Sequence, residues 1–212
     1  MEVERMSLEE FCGKVAEKTP TPGGGAVGAV VGAMACALAE MVANFTRKKR
    51  GYEDVEAEME RIVEDMEELR ERLFILAGRD MKAFEELMNA RRLPEDSEEE
   101  RMLKRKKVEE AILEAASVPL DVIRAMNQLA RELEILAEFG NRNLFSDTLN
   151  AVDLCEAVYR VAKVNVLINV KEMENEKTRK EFLEELEELG SQIEGSCRRI
   201  REMLEVRLWN SK

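Results

Sequence analysis

The sequence contains no histidine. That absence excludes a Ser-His-Asp triad, a Cys-His pair, His-ligated zinc and a non-haem iron centre with a His facial triad. It also removes the side chain that ordinarily moves protons near pH 7. Proton chemistry falls to carboxylates, Lys, Cys, Tyr or the backbone. Aromatic residues are 5% of the chain against a hydrophobic fraction of 45%, so Leu, Ala, Val and Met must fill the core. Four prolines and 11 glycines are few breakers, and six of the glycines fall between Cys12 and Gly32. Low Gly and Pro with abundant Leu, Ala, Glu, Lys and Arg predicts helix. Cys12, Cys36, Cys155 and Cys197 form no CxxC pair, which excludes a zinc knuckle and a thioredoxin-type motif. Cys36 and Cys155 sit in apolar helical patterns and read as buried thiols. No metal site is expected.

What is present is length and negative charge. The 212 residues suit one domain with a sizeable core. A net charge of −12 disfavours broad nucleic-acid binding. Basic runs at Arg47–Arg50 and Lys104–Lys107 read as solvated helix ends, or as sites for an anionic substrate tail. The N-terminus, MEVERMSLEE, has no apolar h-region, so a cytoplasmic location is expected. Gly23 to Ala39 is an uncharged run of 17 residues, near the minimum for a membrane span. It is rich in Gly and Ala and is followed by Glu40, so it is read as a core helix and no membrane is expected.

Three S/T-x-x-E capping boxes mark helix starts: Ser7 with Glu10, Ser97 with Glu100, and Thr178 with Glu181. Helices are predicted at 8–18, 24–49, 53–92, 98–139, 147–171 and 179–208, with breaks at Pro20/Pro22, Gly51, Pro94 and Gly140. Pro119 is expected to kink or split the fourth. No run alternates with period two, so the fold class is all-α, a multihelical bundle of about six helices without sheet. The third helix carries a stripe from Val55 through Met59, Ile62, Met66, Leu69, Leu73 and Leu76 to Phe84 and Leu87. Asp80 is its one charge. A carboxylate there is desolvated unless it is paired or protonated, so it is either a structural ion-pair partner or a functional group.

Two segments stand out as candidate sites. Thr19-Pro-Thr-Pro-Gly-Gly-Gly-Ala-Val-Gly28 matches G-x-G-x-x-G, but no strand precedes it and it lacks the Gly-Lys-Ser/Thr ending of a Walker loop. It is a proline-stiffened loop followed by glycines that open a helix. Such a helix start exposes backbone donors to a ligand, or else packs tightly against neighbours. Thr21, Gly23, Gly24 and Gly25 are therefore candidate binding residues. The second segment, Gly140-Asn-Arg-Asn-Leu-Phe-Ser-Asp147, gathers Asn141, Asn143, Ser146 and Asp147 at a helix start, with Ser146 as candidate N-cap. Further along that helix, Asn165 and Asn169 fit either interhelical hydrogen bonding or substrate binding. Asp147 and Asn165 lie 18 residues apart, about 27 Å along a helix, too far to share one small-molecule site within a chain.

Taken in order, Ser7-Leu-Glu-Glu-Phe11, Pro20-Thr-Pro-Gly-Gly-Gly25, Tyr52-Glu-Asp-Val55, Asp80-x-x-Ala-Phe84, Val118-Pro-Leu120, Gly140-Asn-x-Asn, Ser146-Asp147 and Asn165-Val-x-x-Asn169 resemble the formiminotetrahydrofolate cyclodeaminase / methenyltetrahydrofolate cyclohydrolase family. The resemblance covers about residues 5–175. It implies an all-helical, homodimeric enzyme with a folate cleft near the subunit interface and a place in histidine degradation. The implied reaction closes 5-formiminotetrahydrofolate to 5,10-methenyltetrahydrofolate and releases ammonia. The formiminotransferase domain to which the animal cyclodeaminase domain is fused has no counterpart in this sequence.

That chemistry runs without histidine. N10 attacks the formimino carbon and ammonia leaves, which needs a base, an acid and two arms held in attack geometry. No metal or redox cofactor is needed; the tetrahydrofolate derivative is the substrate. Asp80 is assigned as the acid–base group, with Asp147 the second choice. Asn141, Asn143 and Ser146 are expected to orient the substrate, Gly23 to Gly25 to offer backbone donors, and Lys104 or the 47–50 run to meet the folate carboxylates. Two other readings stand beside this one: the cyclohydrolase, which opens the same ring with water, and a non-catalytic helical dimer.

Overall fold

The structure is a computed structural model that describes the backbone of residues 3–210 and the side chains of residues 3–207. The described residues form six α-helices and three short 3-10 helices, with no strand. The α-helices are α1 (Leu8–Ala16), α2 (Gly24–Thr46), α3 (Glu56–Arg91), α4 (Glu98–Phe139), α5 (Phe145–Val170) and α6 (Glu176–Asn210).

Local chemistry sets the ends. Ser7 and Ser97 each close a capping box with Glu10 and Glu100, as the sequence predicts. The third expected box does not form. Asn175 caps α6 instead, its Oδ1 accepting from the Thr178 N–H at 3.1 Å, so the helix starts three residues earlier than expected. Nor is Ser146 an N-cap. A 3-10 turn over Arg142–Leu144, capped by the Asn141 side chain, runs directly into α5 and leaves Ser146 inside the helix. Likewise 3-10 geometry over Glu53–Val55 replaces the predicted first turn of the third helix.

Pro119 lies inside α4 without ending it. Proline has no N–H, so the Ala115 carbonyl four residues earlier loses its helical partner. The Asn169 amide of α5 donates to that carbonyl at 2.7 Å. One interhelical bond thus satisfies the group that the proline orphans.

The small residues of α2 do the packing expected of them. Gly28, Ala29, Gly32, Ala33 and Cys36 are buried, and α2 contacts α3, α4 and α5. A Cβ on Gly32 would sit 3.1 Å from Met126 and 3.4 Å from Leu73, so glycine sets how closely the helices approach. Alone among the described helices, α2 is long and apolar enough to cross a membrane. Its buried face is nevertheless part of the core, beside the α3 stripe of Met59, Ile62, Met66, Leu69, Leu73 and Leu76. The Cys36 thiol is pushed up to about 12 by that burial. Cys155 is buried too, as its pattern predicts.

Candidate functional site

The N-terminus of α2, the C-terminal third of α3 and the C-terminal turns of α5 meet around a cleft of about 290 Å³. Thr21, Gly23, Gly24 and Gly25 line it from the loop and α2, Asp80 and Phe84 from α3, and Asn165, Ile168 and Asn169 from α5. Seven of the residues singled out in the sequence therefore share one wall-to-wall site: Thr21, Gly23, Gly24, Gly25, Asp80, Asn165 and Asn169. A small apolar crevice lined by Val118, Pro119 and Val161 lies on the other side of Gly25 and Asp80.

Asp80 is half-buried, and the structure shows why its carboxylate can sit on an apolar stripe. Gly23, the N-cap of α2, provides no side-chain cap. The first backbone N–H groups of a helix lack intrahelical partners and carry partial positive charge. The Asp80 carboxylate lies against this helix start, where the Ala26 backbone N–H favours its charged form, so α3 covers the end of α2. A Cβ at position 25 would lie 2.7 Å from Oδ2 and closer still to Oδ1, so only glycine lets the carboxylate reach the helix end. Burial raises the Asp80 pKa and the Ala26 N–H lowers it; burial prevails, and the carboxyl lies above its ordinary value. The ion-pair alternative is not what forms. The neighbouring Arg79 reaches α4 instead, donating to Glu114 at 2.8 Å and Asp121 at 3.2 Å.

Asn169 is anchored by both of its N–H groups, one to Ala115 and the other to the Asn165 carbonyl at 2.9 Å. The Asn165 amide in turn donates to the Val161 carbonyl at 3.1 Å. Interhelical bonding thus accounts for the Asn169 amide nitrogen. Each side chain retains a carbonyl oxygen at a residue that lines the cleft.

The remaining candidates lie elsewhere in the chain, in keeping with the separation of Asp147 from Asn165 along α5. Asn141 sits at the opposite end of the α2–α5 pair. Its N–H donates to Thr46 Oγ1 at 2.9 Å, its amide donates to the Phe45 carbonyl at 3.2 Å, and its Oδ1 accepts from Lys49 at 2.5 Å and from the Asn143 N–H at 3.2 Å. It ties the end of α2 to the α4–α5 loop. Asn143 and Ser146 are exposed, and Asp147 is half-buried in the first turn of α5. None of the four lines the cleft. Lys104 projects from the first turns of α4 and pairs with Glu95 at 2.8 Å, away from the site. The 47–50 run lies beyond the C-terminus of α2, at the Asn141 end.

Sequence reasoning missed Arg91 and Glu172, which close the far end of the cleft as an ion pair between the end of α3 and the turn after α5. The pair spans 81 residues and leaves no local signature. Its one trace is spacing: Asp80, Phe84, Leu87 and Arg91 continue the stripe in steps of four, three and four.

Such a site, a desolvated carboxyl beside a glycine-rich helix start in an all-helical bundle, defines a class of cleft proteins that can move protons without histidine. Comparison with known proteins gives the family. The sequence profile described as formiminotransferase-cyclodeaminase matches residues 7–188, and the chain belongs to that family. It is 36% identical over 202 residues to the methenyltetrahydrofolate cyclohydrolase of Methylorubrum extorquens, covering 95% of this chain and 97% of that protein. It is 33% identical to the formimidoyltransferase-cyclodeaminase of Rattus norvegicus, covering 88% of this chain and 35% of the rat protein. The crystal structure of formiminotetrahydrofolate cyclodeaminase from Thermotoga maritima superposes with a TM-score of 0.91 at 65% identity, covering 98% of this chain and 100% of that one.

Proposed function

We propose that the chain is a formiminotetrahydrofolate cyclodeaminase, an ammonia-lyase that closes 5-formiminotetrahydrofolate to 5,10-methenyltetrahydrofolate. The observation that carries the reading is the Asp80 carboxyl, which no described cation pairs with, raised in pKa and set at the glycine-rich start of α2. N10 adds to the carbon of the protonated formimino group and forms a C–N bond. Asp80 takes the N10 proton and returns it to the departing nitrogen. The second C–N bond then breaks, releasing ammonia and leaving the methenyl cation. A carboxyl with a pKa moved towards neutrality serves both transfers. The Gly24 and Gly25 N–H groups face an acceptor on the pterin, and the Asn165 and Asn169 carbonyl oxygens take its donors. Holding the two arms together contributes about 7 kcal/mol or more. The chemistry calls for no metal or redox cofactor.

The cyclohydrolase is the second reading, favoured by the full-length likeness to the M. extorquens protein. There the same carboxylate would take a proton from water as it adds to the methenyl carbon. Two parallel assays separate them: the formimino substrate with methenyl formation and ammonia as readouts, and the methenyl substrate with ring opening as readout. Closure faster than opening supports the cyclodeaminase; opening alone supports the cyclohydrolase.

The enzyme is further proposed to work as a homodimer. On the outer side of the α2–α5 pair, Met34, Phe45, Val161, Val164 and Ile168 are all at least 40% exposed. Such an apolar stripe suits a second copy of itself. Light scattering should give twice the 24.2 kDa chain mass, and Val164→Glu should give the monomer. A wild-type monomer at micromolar concentration contradicts this part of the reading.

A further inference from the structure

The cleft is a directional slot rather than a simple pocket. Asp80 and Arg91 stand on one face of α3, eleven residues and so about 16 Å apart along the axis. Between them the wall is apolar: Phe84 is half-buried, Leu87 is buried, and Ile168 of α5 also lines the slot. A proton-transfer group at one end, an apolar middle with one aromatic ring and a guanidinium at the other end form an ordered set. They match a ligand with a hydrogen-bonding head, a flat apolar spacer and an anionic tail.

Arg91 is the one cation among the described residues that line the slot. Its partner is Glu172, and both side chains keep about two-fifths of their surface in contact with solvent (40% and 45%). An exposed pair of this kind contributes little to stability, so a second carboxylate exchanges with Glu172 at small cost. A guanidinium also grips a carboxylate with two parallel N–H donors, which an ammonium cannot do.

Building on the folate reading above, we infer that Arg91 is the receptor for a carboxylate of the substrate's glutamate tail, with Glu172 as the carboxylate it displaces. This residue takes over the role that the sequence reading gives to Lys104. In the bound state the pterin head lies at Asp80, the benzoyl ring lies against Phe84 and the glutamate reaches Arg91. Specificity for glutamylated folates then resides at the far end of α3, separate from the chemistry.

The test compares 5-formiminotetrahydrofolate with 5-formiminotetrahydropteroate, which lacks the glutamate, in wild type, Arg91→Gln, Arg91→Lys and Glu172→Gln. Wild type should favour the glutamylated substrate in kcat/KM by tenfold or more. Arg91→Gln should abolish that preference through KM, and Arg91→Lys should keep part of it. Glu172→Gln should lower KM for the glutamylated substrate severalfold, because the competitor has gone. Both substituted positions are exposed, so circular dichroism should show one common fold for all four proteins. A wild-type enzyme that turns over both substrates without preference overturns the assignment of Arg91 while leaving the cyclodeaminase reading in place. So does an Arg91→Gln variant that keeps the preference. If neither substrate is turned over or bound, the folate reading itself fails.

Discussion

The two ends of the antiparallel α2–α5 pair are built from similar residues and do different things. At one end Asn141, Thr46, Lys49 and Asn143 bond to one another. At the other, Asp80, Gly24, Gly25, Asn165 and Asn169 surround open space. A cluster of amides and hydroxyls whose groups are matched internally staples chain segments together. A cluster that keeps an unneutralised carboxyl and backbone donors beside a cavity is suited to a ligand. The difference is one of satisfaction, not of polarity, and composition alone does not reveal it.

Breaking each end in turn sharpens the contrast. The largest effect is expected from Asp80→Asn. Asparagine keeps the shape and can still present an oxygen to the Ala26 N–H, so the protein should fold while turnover falls about 10²- to 10⁴-fold. Gly25→Ala should come next. Its Cβ would collide with the Asp80 carboxylate, so turnover should fall at least tenfold and stability should fall by about 1–3 kcal/mol, read by denaturant titration. At the other end, Thr46→Val removes the acceptor of the Asn141 N–H. That leaves a buried donor unmatched, at about 1–3 kcal/mol, and kcat should stay within about twofold of wild type. A Thr46→Val enzyme that is stable but inactive would erase the distinction between the two ends.

The smallest effect is on stability against pH. Asp80 binds its proton more tightly in the folded chain than in the unfolded one, because burial raises its pKa. Its contribution is therefore fully present below the unfolded carboxyl value and is lost as pH rises through the folded value. Asp80→Asn lacks that loss, so its stability relative to wild type should increase from pH 4 to pH 8. Paired denaturation curves at the two pH values measure it. A constant difference would mean that Asp80 is not desolvated.

The same contacts explain how far the sequence could be read. Helices α1 and α4 were legible because Ser7 and Ser97 carry their capping partners three residues on. Asp80 was legible because one charge interrupts a periodic apolar stripe. What escaped depended on distant residues. Pro119 fails to split α4 because Asn169, 54 residues from the carbonyl it serves, compensates for the missing N–H. Nothing local in the sequence shows that Asn141 is held by Thr46, 95 residues away. Arg91 needed the stripe extended by one step and Glu172 placed opposite it.

The central claim is that Asp80 carries the proton in ring closure. The most direct measurement is the single-turnover rate of methenyltetrahydrofolate formation against pH, for wild type and Asp80→Asn side by side. The account predicts a wild-type rate that falls on the acid side with an apparent pKa above the ordinary carboxylate value of 3.8, and an Asp80→Asn rate that is far lower and lacks that limb. A folded Asp80→Asn protein that closes the ring at near wild-type rate, with the acid limb intact, would contradict it.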